Sequence, residues 1–246
     1  MLLPGEIHVW AISLDVTPGA LATLETALCP AERERAARFR FEQHRNRFIA
    51  GRGLLRNILS SYLNARPQTL EFCSGPNGKP ALANLSTVND LQFNLAHSEG
   101  LALAAVTTAG EVGVDVERVR VLDDAEELVR RFFSRSEAEI FRELPPALKP
   151  AAFFNLWTRK EAFLKATGEG IAHSMHRVEV SFLPGESARF AGLPADLGDP
   201  NAWVLRDLAP APGFAAALAV RRTELKLRCW CWELDTGQCA WKPPRN

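Results

Sequence analysis

Phe153-Phe154-Asn155-Leu156-Trp157-Thr158-Arg159-Lys160-Glu161-Ala162-Phe163-Leu164-Lys165 is the stretch on which the reading of this 246-residue chain turns. Its apolar residues recur at spacings of three, four and seven, which predicts a helix with an apolar face. On a wheel of about 100° per residue, Phe153, Leu156, Trp157, Phe163 and Leu164 form one stripe, with Lys160 near its middle. An ammonium there needs an anionic partner. Glu161, Trp157 and Lys165 run along the adjoining edge, so one carboxylate and two ammonium groups converge beside an apolar wall. That is the chemistry of a polyanion held together with a metal. Pro150 suits the first turn of this helix and Gly168 its C-terminal stop.

Upstream, Ser134-Arg135-Ser136-Glu137 has capping-box spacing, and Asp123 or Asp124 can cap a helix running to Phe133. Residues 7–14 read as a strand, and 31–63 as a basic helical stretch. In it Phe48, Leu55, Ile58, Leu59 and Tyr62 keep helical phase, while Arg45, Arg47, Arg52 and Arg56 decorate the rest. Gly75 to Pro80 is a turn by composition, with Asn77-Gly78 a hairpin signal. Residues 91–95 read as a strand leading into Ala96-His97-Ser98, and the runs at 101–106 and 112–116 as a β-hairpin. Further strands are expected at 178–182, 203–206, 214–220 and 227–234. The order strand, helices, strands thus occurs twice, and Gly100-Leu101-Ala102-Leu103-Ala104-Ala105-Val106 resembles Gly213-Phe214-Ala215-Ala216-Ala217-Leu218-Ala219-Val220. A duplication dividing near Gly110 follows, with the final strand free to pack on either half.

Charge is balanced, with 29 basic and 29 acidic residues, so nothing global favours nucleic acid or an anionic membrane, and any anion site is local. No apolar run approaches the roughly 20 residues of a membrane span, and the N-terminus lacks a signal-peptide pattern; the expectation is a cytoplasmic protein. Five cysteines fit reduced thiols. Cys229, Cys231 and Cys239 cluster without nearby histidine and read as strand and loop residues rather than zinc ligands.

A second constellation is Gly113-Val114-Asp115-Val116-Glu117. Side chains alternate along a strand, so Asp115 and Glu117 share one face while Val114 and Val116 enter the core behind them. Two carboxylates side by side repel unless a cation lies between them, and oxygen donors select a hard ion, Mg²⁺ or Mn²⁺, completed by phosphate and water. The alternative is an acidic edge facing solvent with Arg118 and Arg120 nearby. Glu161 would supply a third carboxylate, Lys160 and Lys165 the phosphate partners.

The two motifs in this order, about forty residues apart, resemble the signature pair of the 4′-phosphopantetheinyl transferases of the larger, surfactin-synthetase-activating type. Gly78-Lys79-Pro80 and Phe93-Asn94-Leu95-Ala96-His97-Ser98 are similar to upstream motifs of that family, and the basic stretch before them matches in character. The resemblance implies an α+β fold of two pseudo-twofold-related subdomains, 1–110 and 111–246, each a small antiparallel sheet packed with helices, acting as a monomer. It implies transfer of 4′-phosphopantetheine from coenzyme A to a serine of an apo acyl or peptidyl carrier protein, releasing 3′,5′-bisphosphoadenosine. Asp115, Glu117 and Glu161 would bind Mg²⁺ with the coenzyme A diphosphate. Lys160 and Lys165 would contact phosphate, and Glu161 would accept the serine proton. His97 would contact a phosphate where the halves meet, Lys79 would hold the adenine end, and Arg47, with Arg33 and Arg35, would reach the 3′-phosphate.

Two positions depart from the family pattern. Ala96 stands where serine is frequent, with Ser98 a candidate replacement for the lost hydroxyl, and Glu32 stands where some relatives have lysine. Two other readings compete. Basic residues interleaved with Phe39, Phe41 and Phe48 could mark a nucleic-acid surface, although zero net charge and helical phase favour a core-facing role for the aromatics. Another Mg²⁺-dependent phosphotransferase is the second, weakened by the absence of a Walker-type loop or kinase signatures.

Overall fold

The computed structural model describes residues 2–75, 78–83, 91–169, 175–233 and 237–240, with only the backbone at 233 and 237–240. Asn77 of the expected turn and the Cys239 side chain lie outside the described residues.

Two units with one element order make up the α+β fold. The first runs β1 (Glu6–Ser13), α1 (Pro18–Thr26), α2 (Pro30–Ala37), α3 (Glu42–Leu63), a ribbon of β2 (Phe72–Ser74) and β3 (Pro80–Leu82), then β4 (Gln92–Ser98) and β5 (Leu101–Thr107). The second runs β6 (Val112–Arg118), α4 (Ala125–Phe132), α5 (Arg135–Glu143), α6 (Lys149–Thr167), a ribbon of β7 (Glu179–Val180) and β8 (Phe190–Gly192), then β9 (Val204–Leu208) and β10 (Phe214–Val220). The sheets repeat as well: β1-β5-β4 in one, β6-β10-β9 in the other, with the alanine-rich strand central and antiparallel to both neighbours. β11 (Lys226–Glu233) then returns to the first sheet, parallel to β1, and β12 (Gly237–Ala240) edges it.

The runs at 101–106 and 112–116 do not form the expected hairpin. β5 pairs with β1 and β4, whereas β6 pairs with β10. Gly110, at φ +118°, carries the chain from one sheet to the next.

Each sheet is apolar on both faces. Ile7, Val9 and Ala11 of β1 share one core with Val112, Val114 and Val116 of β6 and with Leu103, Ala105, Leu218 and Val220. The opposite faces meet helices: Trp10, Ile12 and Ala104 pack on Leu54, Leu55 and Ile58 of α3, while Ala215, Ala217 and Ala219 pack with Phe163 of α6. The layers therefore run helix, sheet, sheet, helix. Alanine on β5 and β10 lets the helices approach closely.

Two helix readings need correction. The basic stretch breaks at residues 38–41 into α2 and α3, and Arg56 is not on its solvated side but 2% exposed. α6 has no single stripe; Thr158, Arg159, Lys160 and Glu161 are buried along with its apolar residues, because the sheet, α4, α5 and the β7–β8 ribbon surround it. Among the described residues no helix is long and apolar enough to cross a membrane.

Candidate functional site

The site begins with a glycine. A Cβ at Gly113 would lie 2.1 Å from the Ala162 carbonyl oxygen and 2.4 Å from the Ala166 nitrogen, so only glycine lets β6 lie this close to α6. Two residues on, Asp115 faces α6 from the same side of the strand, opposite Glu161 and Lys165, which stand one helical turn apart. Lys165 Nζ donates to Asp115 Oδ1 at 2.6 Å and lies 3.7 Å from Glu161 Oε2.

Burial dominates the electrostatics here. It pushes the Asp115 carboxyl up to about 7, with Lys165 opposing and the Glu161 and Glu117 charges adding to the rise. Burial also raises Glu161, against the pull of Lys165 and with help from Glu117. For Lys165 burial acts to lower the pKa, but attraction to Asp115, Glu161 and Glu117 outweighs it and the net shift is upward. Asp115 Oδ2 is buried without a hydrogen-bond partner. Three mutually repelling carboxylates around an orphaned oxygen fit a hard divalent cation. Among the described residues no three His, Cys, Asp or Glu side chains already converge as a ligand set. The Lys165 ammonium stands among these carboxylates at the end of a flexible stem.

Glu117 is held from the other unit. Ser98 Oγ, at the end of β4, donates to Glu117 Oε2 at 2.7 Å and accepts from the Arg118 backbone N–H at 3.1 Å. Asn94 Oδ1 accepts from the Val114 N–H at 2.9 Å, a second buried tie between β4 and β6. The hydroxyl of Ser98 is thus engaged with a carboxylate, and Ala96 is packed in the core between the sheets.

Beside Ser98, exposed His97 faces a cleft of about 670 Å³ lined also by Arg35, His44, Arg47 and Arg52. Phe39 and Phe48 form its apolar wall, and the Arg35 guanidinium lies 5.1 Å from the Phe48 ring centre. Arg47 forks Asp15, Nε to Oδ1 at 2.7 Å and a terminal nitrogen to Oδ2 at 2.8 Å, which holds the Asp15 carboxyl below its usual range. Gly100 makes room for this pair, since a Cβ there would meet Asp15 Oδ2 at 2.4 Å. A basic, aromatic-walled cleft suits a phosphorylated nucleoside. Arg33 is exposed on α2 and is not among the residues lining the cleft.

Two sequence assignments change. Lys160 does not face the carboxylate cluster: fully buried, its ammonium donates to Glu137 and to the Met175 carbonyl at 2.9 Å, with the Phe133 ring centre 4.8 Å away. Helical phase turns it about 100° from Glu161, toward α5 rather than β6. Lys79 reaches across the units, donating to the Val112 and Ala166 carbonyls at 3.0 Å each, where it caps the C-terminus of α6. Burial lowers its pKa, with Glu111 opposing.

Other residues emerge only in three dimensions. Glu32 is buried and accepts from Arg56 at 2.6 Å and Arg52 at 3.0 Å, so its carboxylate ties α2 to α3. Phe41, expected to face the core, is 59% exposed beside Arg40 and His44. Arg159, 1% exposed, forks Asp207 at 2.6 and 2.8 Å and donates to the Ser181 and Glu186 carbonyls. Asn94 and Ser98 stood in a family-like motif, but their ties to β6 had no sequence signal, nor did the pairing of Arg159; the glycine of Gly-Val-Asp-Val-Glu was the available clue to close packing.

Residues 111–219 match the model of the 4′-phosphopantetheinyl transferase superfamily, and residues 16–109 that of the 4′-phosphopantetheinyl transferase N-terminal region. The chain is 42% identical over 219 residues to 4′-phosphopantetheinyl transferase HetI of Nostoc sp. (strain PCC 7120), covering 89% of each protein. It is 27% identical over 145 residues to 4′-phosphopantetheinyl transferase Sfp of Bacillus subtilis (strain 168), covering 59% of this chain and 62% of that one. A crystal structure of Helicobacter pylori holo-[acyl-carrier-protein] synthase with coenzyme A aligns over 44% of this chain and 97% of its own, at 23% identity and a TM-score of 0.32.

Proposed function

Starting from a chain that belongs to the 4′-phosphopantetheinyl transferase superfamily, we propose that the β6–α6 cluster is its catalytic centre and the neighbouring basic cleft its coenzyme A site. The protein is a 4′-phosphopantetheinyl transferase: it moves the phosphopantetheine arm of coenzyme A onto a carrier-protein serine and releases 3′,5′-bisphosphoadenosine. The observation that carries the site assignment is the buried Asp115–Lys165–Glu161 cluster, with Glu117 beside it under the Ser98 hydroxyl.

Asp115, Glu117 and Glu161 would hold the divalent cation, Mg²⁺ or Mn²⁺. When bound it supplies positive charge to the diphosphate as negative charge builds on the leaving oxygen. Lys165 adds an ammonium already poised at the same place, and burial strengthens its attraction for that charge. Glu161 is the candidate base for the serine hydroxyl, since a carboxyl raised by burial binds a proton more firmly than a solvated one. Arg35 would pair with the 3′-phosphate, and Arg47, its fork held on Asp15, would turn its remaining N–H groups to it; Arg33 would draw it in from the exposed face of α2, and His97 would donate to a phosphate between cleft and cluster. Lys79 serves this reading indirectly, by fastening the β3 end of the cleft to the end of α6. A cytoplasmic monomer acting on soluble carriers completes the proposal.

The test is direct. The protein incubated with coenzyme A, Mg²⁺ and a panel of apo carriers should add the phosphopantetheine mass to the carrier serine. No mass increment on any carrier refutes it.

A further inference from the structure

Two buried ion pairs, one in each half, have the same construction. In the first unit Glu32, at the third position of α2, accepts the Cys29 backbone N–H at 3.2 Å and pairs with Arg56 of α3. In the second, Glu137, at the third position of α5, accepts the Ser134 N–H at 3.0 Å and pairs with Lys160 of α6. Each cation also donates to backbone beyond its own helix, Arg56 to the Pro67 and Leu70 carbonyls and Lys160 to that of Met175. All four side chains are nearly sealed from solvent, and each cation lies against a phenylalanine ring, Phe72 or Phe133.

We propose that Lys160, although it lies inside the signature helix, is a positioning residue: paired with Glu137 it sets the rotation of α6 about its axis and so aims Glu161 and Lys165 at Asp115. Successive helix residues point about 100° apart, so fixing one fixes the next. Arg159, Lys160 and Glu161 are three consecutive buried charges; the first two are anchored in different directions, to Asp207 on β9 and to the N-terminus of α5, and Glu161 pairs with Lys165 beside Asp115 of β6. A helix held this way cannot roll without breaking a desolvated ion pair. The Arg56–Glu32 pair does the same for α3, which carries Arg47 rather than a carboxylate cluster. The recurrence in a unit lacking that cluster argues for a frame element rather than a phosphate ligand.

This inference rests on the transferase reading of the site, and the experiment separates the two. Lys160→Met leaves the Glu137 charge buried and unpaired, whereas adding Glu137→Gln removes that charge while its amide oxygen still accepts one of the two backbone N–H groups, Ser134 and Val180, that the carboxylate serves; Glu137→Gln alone completes the cycle. Each full-length variant is assayed for melting temperature, for coenzyme A affinity by calorimetry, and for kcat with an apo carrier at a temperature where it is folded. K160M should lower the melting temperature and reduce kcat on the order of 10²-fold while coenzyme A affinity stays within about twofold. The double variant should melt above K160M, though below wild type, and bring kcat to within about tenfold of wild type. Coenzyme A affinity lost in both variants, with kcat recovered at saturation, overturns the proposal in favour of a phosphate contact. A double variant that melts above K160M yet stays as slow as K160M also overturns it, because the lysine charge itself is then required. If wild type transfers nothing, the transferase reading has failed; additive melting temperatures would then refute the positioning pair on their own.

Discussion

At one register the two halves carry Trp10 and Asp115. Trp10 pairs with Ala104 of the first central strand and Asp115 with Ala217 of the second, and both alanines are the fourth residue of their strand. Trp10 is settled: its indole donates to Tyr62 at 2.9 Å and stacks on Trp230 with ring centres 4.9 Å apart. Asp115 is not, since one of its buried oxygens has no partner and its carboxyl is pushed up to about 7. Two residues back, the first half has His8, lodged between Tyr62 and Glu6, and the second has Gly113, which leaves no room for a side chain. The clefts diverge oppositely. Leu14, Leu95 and Ala102 line the basic one, where Arg35, His44 and His97 stand beside the carboxylate-paired Arg47 and Arg52; the matching Val119, Asp207 and Ala215 line a smaller hollow of about 490 Å³ that Arg159, paired with Asp207, lines as well. One architecture thus holds a basic cleft in its first half and a carboxylate cluster with an unsatisfied oxygen in its second, and the proposed reaction would use both.

The sharpest way to break this contrast is to remove the charge. Asp115→Ala and Glu161→Ala should each cut turnover by at least about 10²–10³-fold with the fold intact, measured as carrier modification beside circular dichroism. Wild-type turnover in either would disprove the metal-site reading. Gly113→Ala tests the packing beneath it: the added carbon would push β6 off α6, costing about 1–3 kcal/mol in denaturant unfolding and slowing the reaction by misplacing Asp115. In the other half, Arg47→Ala should raise the coenzyme A KM about tenfold with a smaller change in kcat, and coenzyme lacking the 3′-phosphate should not feel the substitution.

The smallest effect concerns the frame shared by both halves. For Glu32 burial acts to raise the pKa, but the bond from Arg56 and the charges of Arg52 and Arg56 outweigh it and hold the carboxyl below its usual range. Its contribution is therefore fully present above the ordinary glutamate value of about 4.3 and is lost as pH falls through the lower folded value. Glu32→Gln should lower the melting temperature at neutral pH and flatten its decline on the acid side. An unchanged acid limb would show that the carboxylate does not stabilise the first half.

Much of this was legible along the chain. The strand alternation of Val114-Asp115-Val116-Glu117 places both carboxylates opposite the core, and four residues separate Glu161 from Lys165 on one helix face. The capping box at Ser134 and Glu137 formed as its spacing predicts, and the two alanine-rich strands became the central strands of two like sheets. These are local rules, acting within a turn or a strand. What failed depended on distant partners. The hairpin of 101–106 with 112–116 gave way because β6 gains more by pairing with β10 and burying its valines between sheets. Arg56 and Lys160 were misread for one reason: a helix wheel shows where a charge points, not whether a carboxylate from another helix waits there.

The sequence by itself determined the residue types, their spacing and the two-fold repetition, because hydrophobic periodicity and capping are settled by near neighbours. Tertiary structure alone decided which buried charges are paired within the protein and which keep an unpartnered atom. That choice turns on desolvation, and whether a buried ion is held by protein or left open to a ligand is fixed only when the two sheets and their helices close around it.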